Sequence, residues 1–242
     1  MASATSAGLF AGPSESAVQK AFTDGVELRV GRRAQAHLLL VYRTLAAASA
    51  LAVLGVLVFI KAQIPAFLPF VVSVLCVFAM GMMQDETQRL GVLGLLAFSQ
   101  GLLAGALVEF ALDIDPALPL TAMLITLVVF VGFSVAALYA EKRSMLYLGG
   151  TLYSALGMLT TLTMANFFLQ SPFVHTLQIY GGLIVFCGYV SFDTQLILAK
   201  FEAGDRDYVS HAMVLFVDMM AIFTRVLVVL LRNDKDRNRR RR

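Results

Sequence analysis

Seven apolar stretches dominate this chain, and each is about long enough to cross the hydrocarbon core of a bilayer. They run from Leu38 to Ile60, Ala66 to Met83, Leu90 to Leu112, Leu118 to Ala140, Met145 to Leu169, His175 to Ala199 and Ala212 to Leu231. The connectors are short and carry turn-forming prolines, so no soluble domain fits between the stretches. Only 14% of the residues are charged and the mean hydropathy is +0.79, outside the range of soluble proteins. The sequence therefore predicts an all-α membrane protein with a bundle of seven transmembrane helices.

Two polar segments flank this apolar domain, which covers residues 38–231. Residues 1–37 form a leader rich in Ser and Ala, and no cleavable signal peptide is predicted because a basic start followed by an apolar core is missing. Residues 232–242 form a polybasic tail, RNDKDRNRRRR. On a multi-pass membrane protein we expect such a tail to bind anionic lipid or partner proteins rather than nucleic acid. Cys76 and Cys187 fall within predicted spans, which argues against a disulfide framework.

The positive charges of the loops predict a cytosolic N-terminus. The leader and the loops on its side of the membrane carry nine cations: Lys20, Arg29, Arg32, Arg33, Arg89, Lys142, Arg143, Lys200 and Arg206. The opposite loops carry Lys61 alone. The polybasic tail conflicts with this rule, because seven full crossings place it on the far side. A re-entrant last segment would return it to the cytosol, so the sequence leaves the side of the tail open.

Two aspartates, Asp193 and Asp218, lie inside the last two apolar stretches. An ionised carboxylate inside a bilayer is costly, and such a residue is a functional candidate by default. Each aspartate lies six residues, roughly 9 Å of helix rise, from the short loop that joins the two stretches. Consecutive helices joined by a short loop run antiparallel, so the two carboxyl groups are expected at matching depth. Two acids that close in a low dielectric would share a proton and titrate as a unit, which predicts a proton-sensitive site.

Two further charged residues are candidates for the same pathway. Arg225 follows Asp218 by seven residues, two helical turns on the same face, and is expected to act as a counter-ion within the bundle. Glu109 lies near the outer end of the third stretch, where it either reaches headgroup water or attracts cations to an entrance. His175 and His211 stand at the ends of stretches and are interpreted as interfacial residues rather than metal ligands.

Glycines predict where helices approach closely. Gly101 and Gly105 form a small-xxx-small pattern, which is typical of tight helix packing in membranes. Paired glycines occur in two other stretches, at Gly149, Gly150, Gly181 and Gly182.

No enzyme signature accompanies these features, so the chain is not expected to be an enzyme. The motifs GxSxG, HExxH, GxxxxGK[ST] and GxGxxG after a strand do not occur. An intramembrane aspartyl protease also uses two aspartates, but its YD and GxGD motifs are absent around Asp193 and Asp218.

The stretch YVSFDTQLILAKFEAGDRDYVSHAMVLFVD resembles the signature of the transmembrane Bax inhibitor motif family, especially its Bax inhibitor-1 branch. ETQRLGVLGLLAFSQGLLAGALVEF and ALYAEKRSMLYLGG extend the resemblance upstream to about Glu86. It implies a seven-helix bundle with a central C-terminal helix in the endoplasmic reticulum membrane of a eukaryote. It also implies a pH-sensitive calcium leak and suppression of stress-induced cell death. The paired aspartates of the family carry over to Asp193 and Asp218, as the pH sensor and a transient Ca²⁺ site.

One position departs from the family pattern. Animal relatives often have a further aspartate one turn before the second member of the pair, and this chain has Val214 there. The midpoint or steepness of the pH response is therefore expected to differ. The alternative function is a non-conducting membrane scaffold, whose tail and loops recruit cell-death or stress-signalling partners. The acid pair favours conduction of Ca²⁺, and the polybasic tail favours recruitment.

Overall fold

The computed structural model describes residues 31–140 and 146–241, with side chains up to residue 235. Its helices are α1 (Arg32–Ala62), α2 (Phe67–Met82), α3 (Glu86–Ile114), α4 (Ala117–Tyr139), α5 (Gly149–Leu169), α6 (Pro172–Glu202) and α7 (Tyr208–Arg241), with a 3₁₀ turn at Leu146–Leu148 before α5. The predicted all-α fold is confirmed for these residues. The leader to residue 30, the loop cations Lys142 and Arg143, and the side chains of Arg239 to Arg242 lie outside them.

Six of these helices are long and apolar enough to cross a membrane. The remaining one, α2, has 16 residues and falls short of that length. The chain is therefore a multi-pass membrane protein, and the part that the structure describes holds six clear spanning candidates, one fewer than the sequence predicts.

Contacts between helix ends set the direction of α1, α3 and α7. His37, near the start of α1, is hydrogen-bonded to His211, near the start of α7. Arg89, in the first turn of α3, forms an ion pair with Asp207, which directly precedes α7. All three helices therefore begin at one end of the bundle, which we call the proximal end.

The opposite, distal end holds the far termini of the same helices. Gln63 caps the C-terminus of α1 and donates hydrogen bonds to Glu109, near the end of α3. Arg232, late in α7, donates to Thr176 in the first turns of α6. Because α1 and α3 run parallel, the chain between them must return along the bundle. α7 is one continuous helix from Tyr208 to Arg241.

The C-terminal helix α7 is central, as expected from the family resemblance. It packs against α1, α3, α4 and α6. Its fully buried residues include Leu215, Phe216, Ile222 and Leu227. In contrast, α2 packs chiefly on α3, and α5 packs chiefly on α6. The long helix that carries Asp218 and Arg225 therefore has protein on nearly every side.

Candidate functional site

The site is built around Asp193 of α6 and Asp218 of α7. Because α6 runs toward the proximal end and α7 runs away from it, the two residues meet nine positions before Glu202 and ten positions after Tyr208. Their side chains are within hydrogen-bonding reach of each other. Both residues are buried, with 6% and 5% of their surface exposed. A hydrogen bond between two carboxyl groups requires that one of them carries a proton, because an ionised carboxylate is only an acceptor.

The acid pair retains unused hydrogen-bonding capacity. Oδ2 of Asp218 is buried and has no hydrogen-bond partner among the described residues. The Tyr189 hydroxyl, within electrostatic range of both carboxyl groups, is likewise buried without a partner there. Buried polar atoms are usually paired, so an orphaned carboxylate oxygen indicates a place for a proton, a water or a cation.

Neighbouring polar side chains fix the position of α6. Ser191 Oγ donates to the carbonyl oxygen of Phe133 at 3.2 Å, and Gln195 Nε2 donates to that of Ala137 at 3.1 Å. Both acceptors belong to α4. These bonds lie on either side of Asp193 in sequence and hold its helix against α4.

Arg225 does not meet Asp218, in contrast to the expected counter-ion. Seven residues of helix separate the two by roughly 10 Å along α7, which is too far for an ion pair. Instead, Nη1 of Arg225 donates to the Ala221 carbonyl oxygen at 2.9 Å. Its guanidinium carbon lies 4.4 Å from the centre of the Phe186 ring, in a cation–π contact with α6.

The remaining predicted residues lie far from the pair, at the distal end. Glu109 is half-buried and accepts hydrogen bonds of 2.7 and 2.9 Å from the Gln63 side chain. His175 is exposed and lines a cavity with Arg232 and Gln170. The structure therefore brings together Asp193 and Asp218, and it leaves Glu109, His175 and Arg225 apart from them.

A buried histidine pair at the proximal end is the feature that sequence reasoning missed. His37 Nε2 and His211 Nδ1 are 3.0 Å apart, and both residues are buried. Asp205 of the loop lies 3.6 Å from Nε2 of His211. His211 lies at the end of a helix, as the sequence indicates, but α1 covers it, so it is buried within the bundle. A signal was present: His211 precedes Asp218 by seven residues and therefore shares its inward face.

A second proximal cluster ties α3 to the loop before α7. Arg89 pairs with Asp207 and also contacts the Ser210 hydroxyl. Burial raises the pKa of Asp207, but hydrogen bonds from Ser210 and the charge of Arg89 outweigh it and lower that pKa below its usual value. Tyr208 adds a hydrogen bond to Glu86. The short loop that sets the depth of both aspartates is thereby anchored.

Comparison with known proteins agrees with this architecture. The sequence profile of the family described as "Inhibitor of apoptosis-promoting Bax1" matches residues 34–235. The chain is 38% identical to probable Bax inhibitor 1 of Paralichthys olivaceus over 224 residues, which cover 88% of this chain and 93% of the relative. It is 40% identical to Bax inhibitor 1 of Homo sapiens over 159 residues, which cover 66% of this chain and 67% of the relative. It is 36% identical to Bax inhibitor 1 of Oryza sativa subsp. japonica over 208 residues, which cover 84% of this chain and 83% of the relative. This chain therefore belongs to the Bax inhibitor 1 family.

Proposed function

We propose that this protein is a pH-sensitive Ca²⁺ leak pathway of the endoplasmic reticulum membrane that suppresses stress-induced cell death. The observation that carries the proposal is the buried pair of carboxyl groups between two membrane-spanning helices. Carboxylate oxygens are the ligands that Ca²⁺ prefers, and protons compete for the same atoms. The names of its relatives support the cell-death part of the proposal.

The state of the pair determines how α6 and α7 interact. With a shared proton, a hydrogen bond joins the helices. Without it, two negative charges face each other, and at an effective dielectric of about 20 their repulsion is worth roughly 4 kcal/mol at 4 Å. That energy is large enough to shift a two-state equilibrium strongly. Deprotonation therefore both separates the helices and creates a site for a divalent cation.

The proposed topology has seven crossings, with α2 as a short return segment. It starts from a cytosolic N-terminus, so the proximal end faces the cytosol and the polybasic tail lies on the opposite side. The parallel directions of α1 and α3 support this arrangement, because α2 must run back between them. Locally thinned bilayer is the usual accommodation for a span as short as α2.

The test is Ca²⁺ flux by purified protein in liposomes across a range of pH. We expect flux without any partner protein. Asp193→Asn and Asp218→Asn should each flatten its pH dependence, and the double variant should add little because the groups act as a unit. Asp113→Asn, which removes an exposed carboxylate at the distal end, is the control and should keep the wild-type pH profile. A folded wild-type protein without flux at any pH would contradict the proposal.

The second candidate function is a scaffold that recruits cell-death or stress-signalling proteins or anionic lipid. It is favoured by the continuation of α7 as a helix through the basic tail to Arg241. Under our proposal, removing residues 236–242 changes cellular protection or localisation and leaves liposome flux nearly intact. Cellular protection that stays at the wild-type level in Asp218→Asn, although the pH dependence of flux has been flattened, would instead favour the scaffold.

A further inference from the structure

A second charged residue, half-buried, lies on the inward face of α7, one layer distal to the acid pair. Arg225 is opposite Phe186 and Gly182 of α6. Those two residues precede Asp193 by seven and eleven positions, so they lie on the distal side of the acid pair, as Arg225 does. A cation that moves between α6 and α7 from the distal end to the aspartates must therefore pass the guanidinium.

Neutral groups surround this charge. The contacts of Arg225 among the described residues are the Ala221 carbonyl oxygen, the Phe186 ring and the backbone at Gly182, and none of them is a carboxylate. Its Nε is buried and has no hydrogen-bond partner there. A cation inside a bilayer is expensive and is normally paired, so an arginine held by neutral groups keeps an uncompensated positive field.

The helix opposite is shaped around the guanidinium. A Cβ atom at Gly182 would collide with Nε of Arg225 and would lie 3.1 Å from its Cζ. At the adjacent Gly181, a Cβ atom would meet only leucine methyl groups at 3.9 Å. The absence of a side chain at Gly182 therefore leaves the space that the arginine fills.

Open space lies beside the same layer. A cavity of about 240 Å³ separates α3 from α7 and is lined by Gln100, Leu107, Met220, Ala221 and Thr224, among others. It borders Ala221, the residue whose carbonyl oxygen accepts the hydrogen bond from Arg225. Arg225 does not line this cavity, which lies on the α3 side of α7, so a cation that moves between α6 and α7 passes the guanidinium itself.

From these contacts we propose that Arg225 is an electrostatic barrier that limits cation passage between the distal end and the Asp193–Asp218 pair. The inference rests on the proposed function, and it names the residue that keeps the leak small. Electrostatic energy is proportional to the charge of the ion, so the barrier is about twice as high for Ca²⁺ as for a monovalent cation. The logarithm of the flux is therefore lowered about twice as much for Ca²⁺.

The experiment measures ⁴⁵Ca²⁺ and ⁸⁶Rb⁺ uptake into liposomes that contain the full chain or its variants, each checked for folding by size exclusion and thermal unfolding. Arg225→Gln should raise both fluxes, with the Ca²⁺ factor near the square of the Rb⁺ factor: a roughly threefold rise for Rb⁺ accompanies a roughly tenfold rise for Ca²⁺. Arg225→Lys keeps the charge and should stay near wild type. Equal rises for both ions, or an equal rise in Arg225→Lys, would overturn the barrier.

A glycine pair tests the position of the barrier. Gly182→Ala keeps the arginine but forces its guanidinium to move, so the ratio of Ca²⁺ to Rb⁺ flux should change, whereas Gly181→Ala should keep the wild-type ratio. Identical ratios in both variants would overturn the assignment. The two proposals fail differently: wild-type flux that Arg225→Gln leaves unchanged refutes the barrier alone, and no flux in either folded protein refutes the leak itself.

Discussion

The α1–α3 interface and the α6–α7 interface of this bundle differ in the kinds of group that meet there. Between α1 and α3, the contact is made by small residues and backbone: a Cβ atom at Gly101 would run into the backbone of Ala52, and one at Gly55 would run into that of Phe98. Between α6 and α7, apolar side chains are joined by polar groups, namely the Asp193–Asp218 pair and the Arg225 guanidinium.

This difference separates a fixed part of the molecule from a changeable one. Van der Waals contact between backbones does not depend on pH, so α1 and α3 are expected to form a constant unit. A pair of carboxyl groups changes from attraction to repulsion when its proton leaves. The interface of α6 with α7 can therefore respond to protons while the other interface keeps its geometry.

The largest expected effect comes from breaking the fixed interface. Gly101→Ala places a methyl group where the Ala52 backbone lies, and no side-chain rotation can relieve that collision. Overpacking of this kind typically costs about 1–3 kcal/mol, and a backbone clash belongs at the upper end. We expect the thermal unfolding midpoint in detergent to fall strongly, and the difference from wild type should be the same at every pH.

The matched control for this variant is Gly91→Ala in the same helix. A Cβ atom at Gly91 meets nothing within 4 Å, so alanine should be neutral or stabilising by up to about 1 kcal/mol through its helix propensity. Equal unfolding midpoints for the Gly101 and Gly91 variants would contradict the description of the α1–α3 interface.

The fixed interface was also the easier one to predict. The Gly101 and Gly105 spacing indicated close packing, and the structure confirms it, because Gly105 faces the Phe59 ring. Among the other glycines, Gly149 lies against Phe192, whereas Gly150 has open space. Spacing identifies a small face but not the helix that packs against it.

At the α6–α7 interface, the depth of the two aspartates could be predicted from the sequence, but the neighbours of Arg225 could not. The matching depth of Asp193 and Asp218 follows from loop length and helix rise alone, which is local geometry. The neighbours of Arg225 depend on which helices pack together, which no residue pattern specifies, whereas the burial of His211 is indicated by the face that it shares with Asp218. A spacing of seven residues places Arg225 on the same helix face as Asp218 but too far along the helix for an ion pair. Position on the same face therefore predicts contact between two side chains less well than position at the same depth.

Replacing the charged pair sharpens the comparison. The double variant Asp193→Asn plus Asp218→Asn keeps the shapes and hydrogen bonds but removes both titrating groups. At pH 8 to 9 we expect it to unfold at a higher temperature than the wild type, because deprotonated carboxylates repel each other. The corresponding gain in the free energy of unfolding is about 1–4 kcal/mol. At pH 5 the two proteins should unfold at similar temperatures. An identical pH dependence of unfolding in both proteins would show that the pair is not the titrating element.

The smallest expected effect concerns the loop that connects the changeable interface to the fixed one. Asp207, just before α7, pairs with Arg89 of α3, and its pKa is lowered in the folded protein. A group whose folded pKa is lowered stabilises the protein above its unfolded pKa of about 3.9 and loses that contribution as the pH falls through the folded value. Asp207→Asn should therefore destabilise at neutral pH.

The magnitude is limited by solvent, because the Asp207 side chain is 25% exposed. Exposed ion pairs are typically worth up to about 1 kcal/mol, so the unfolding midpoint should fall by only a few degrees at pH 7. The difference from wild type should shrink toward zero as the pH is lowered below about 4. Asp113→Asn, which changes an exposed carboxylate at the distal end, is the control and should show neither effect. A difference between Asp207→Asn and wild type that persists unchanged at low pH would assign the loss to the Ser210 hydrogen bond rather than to charge.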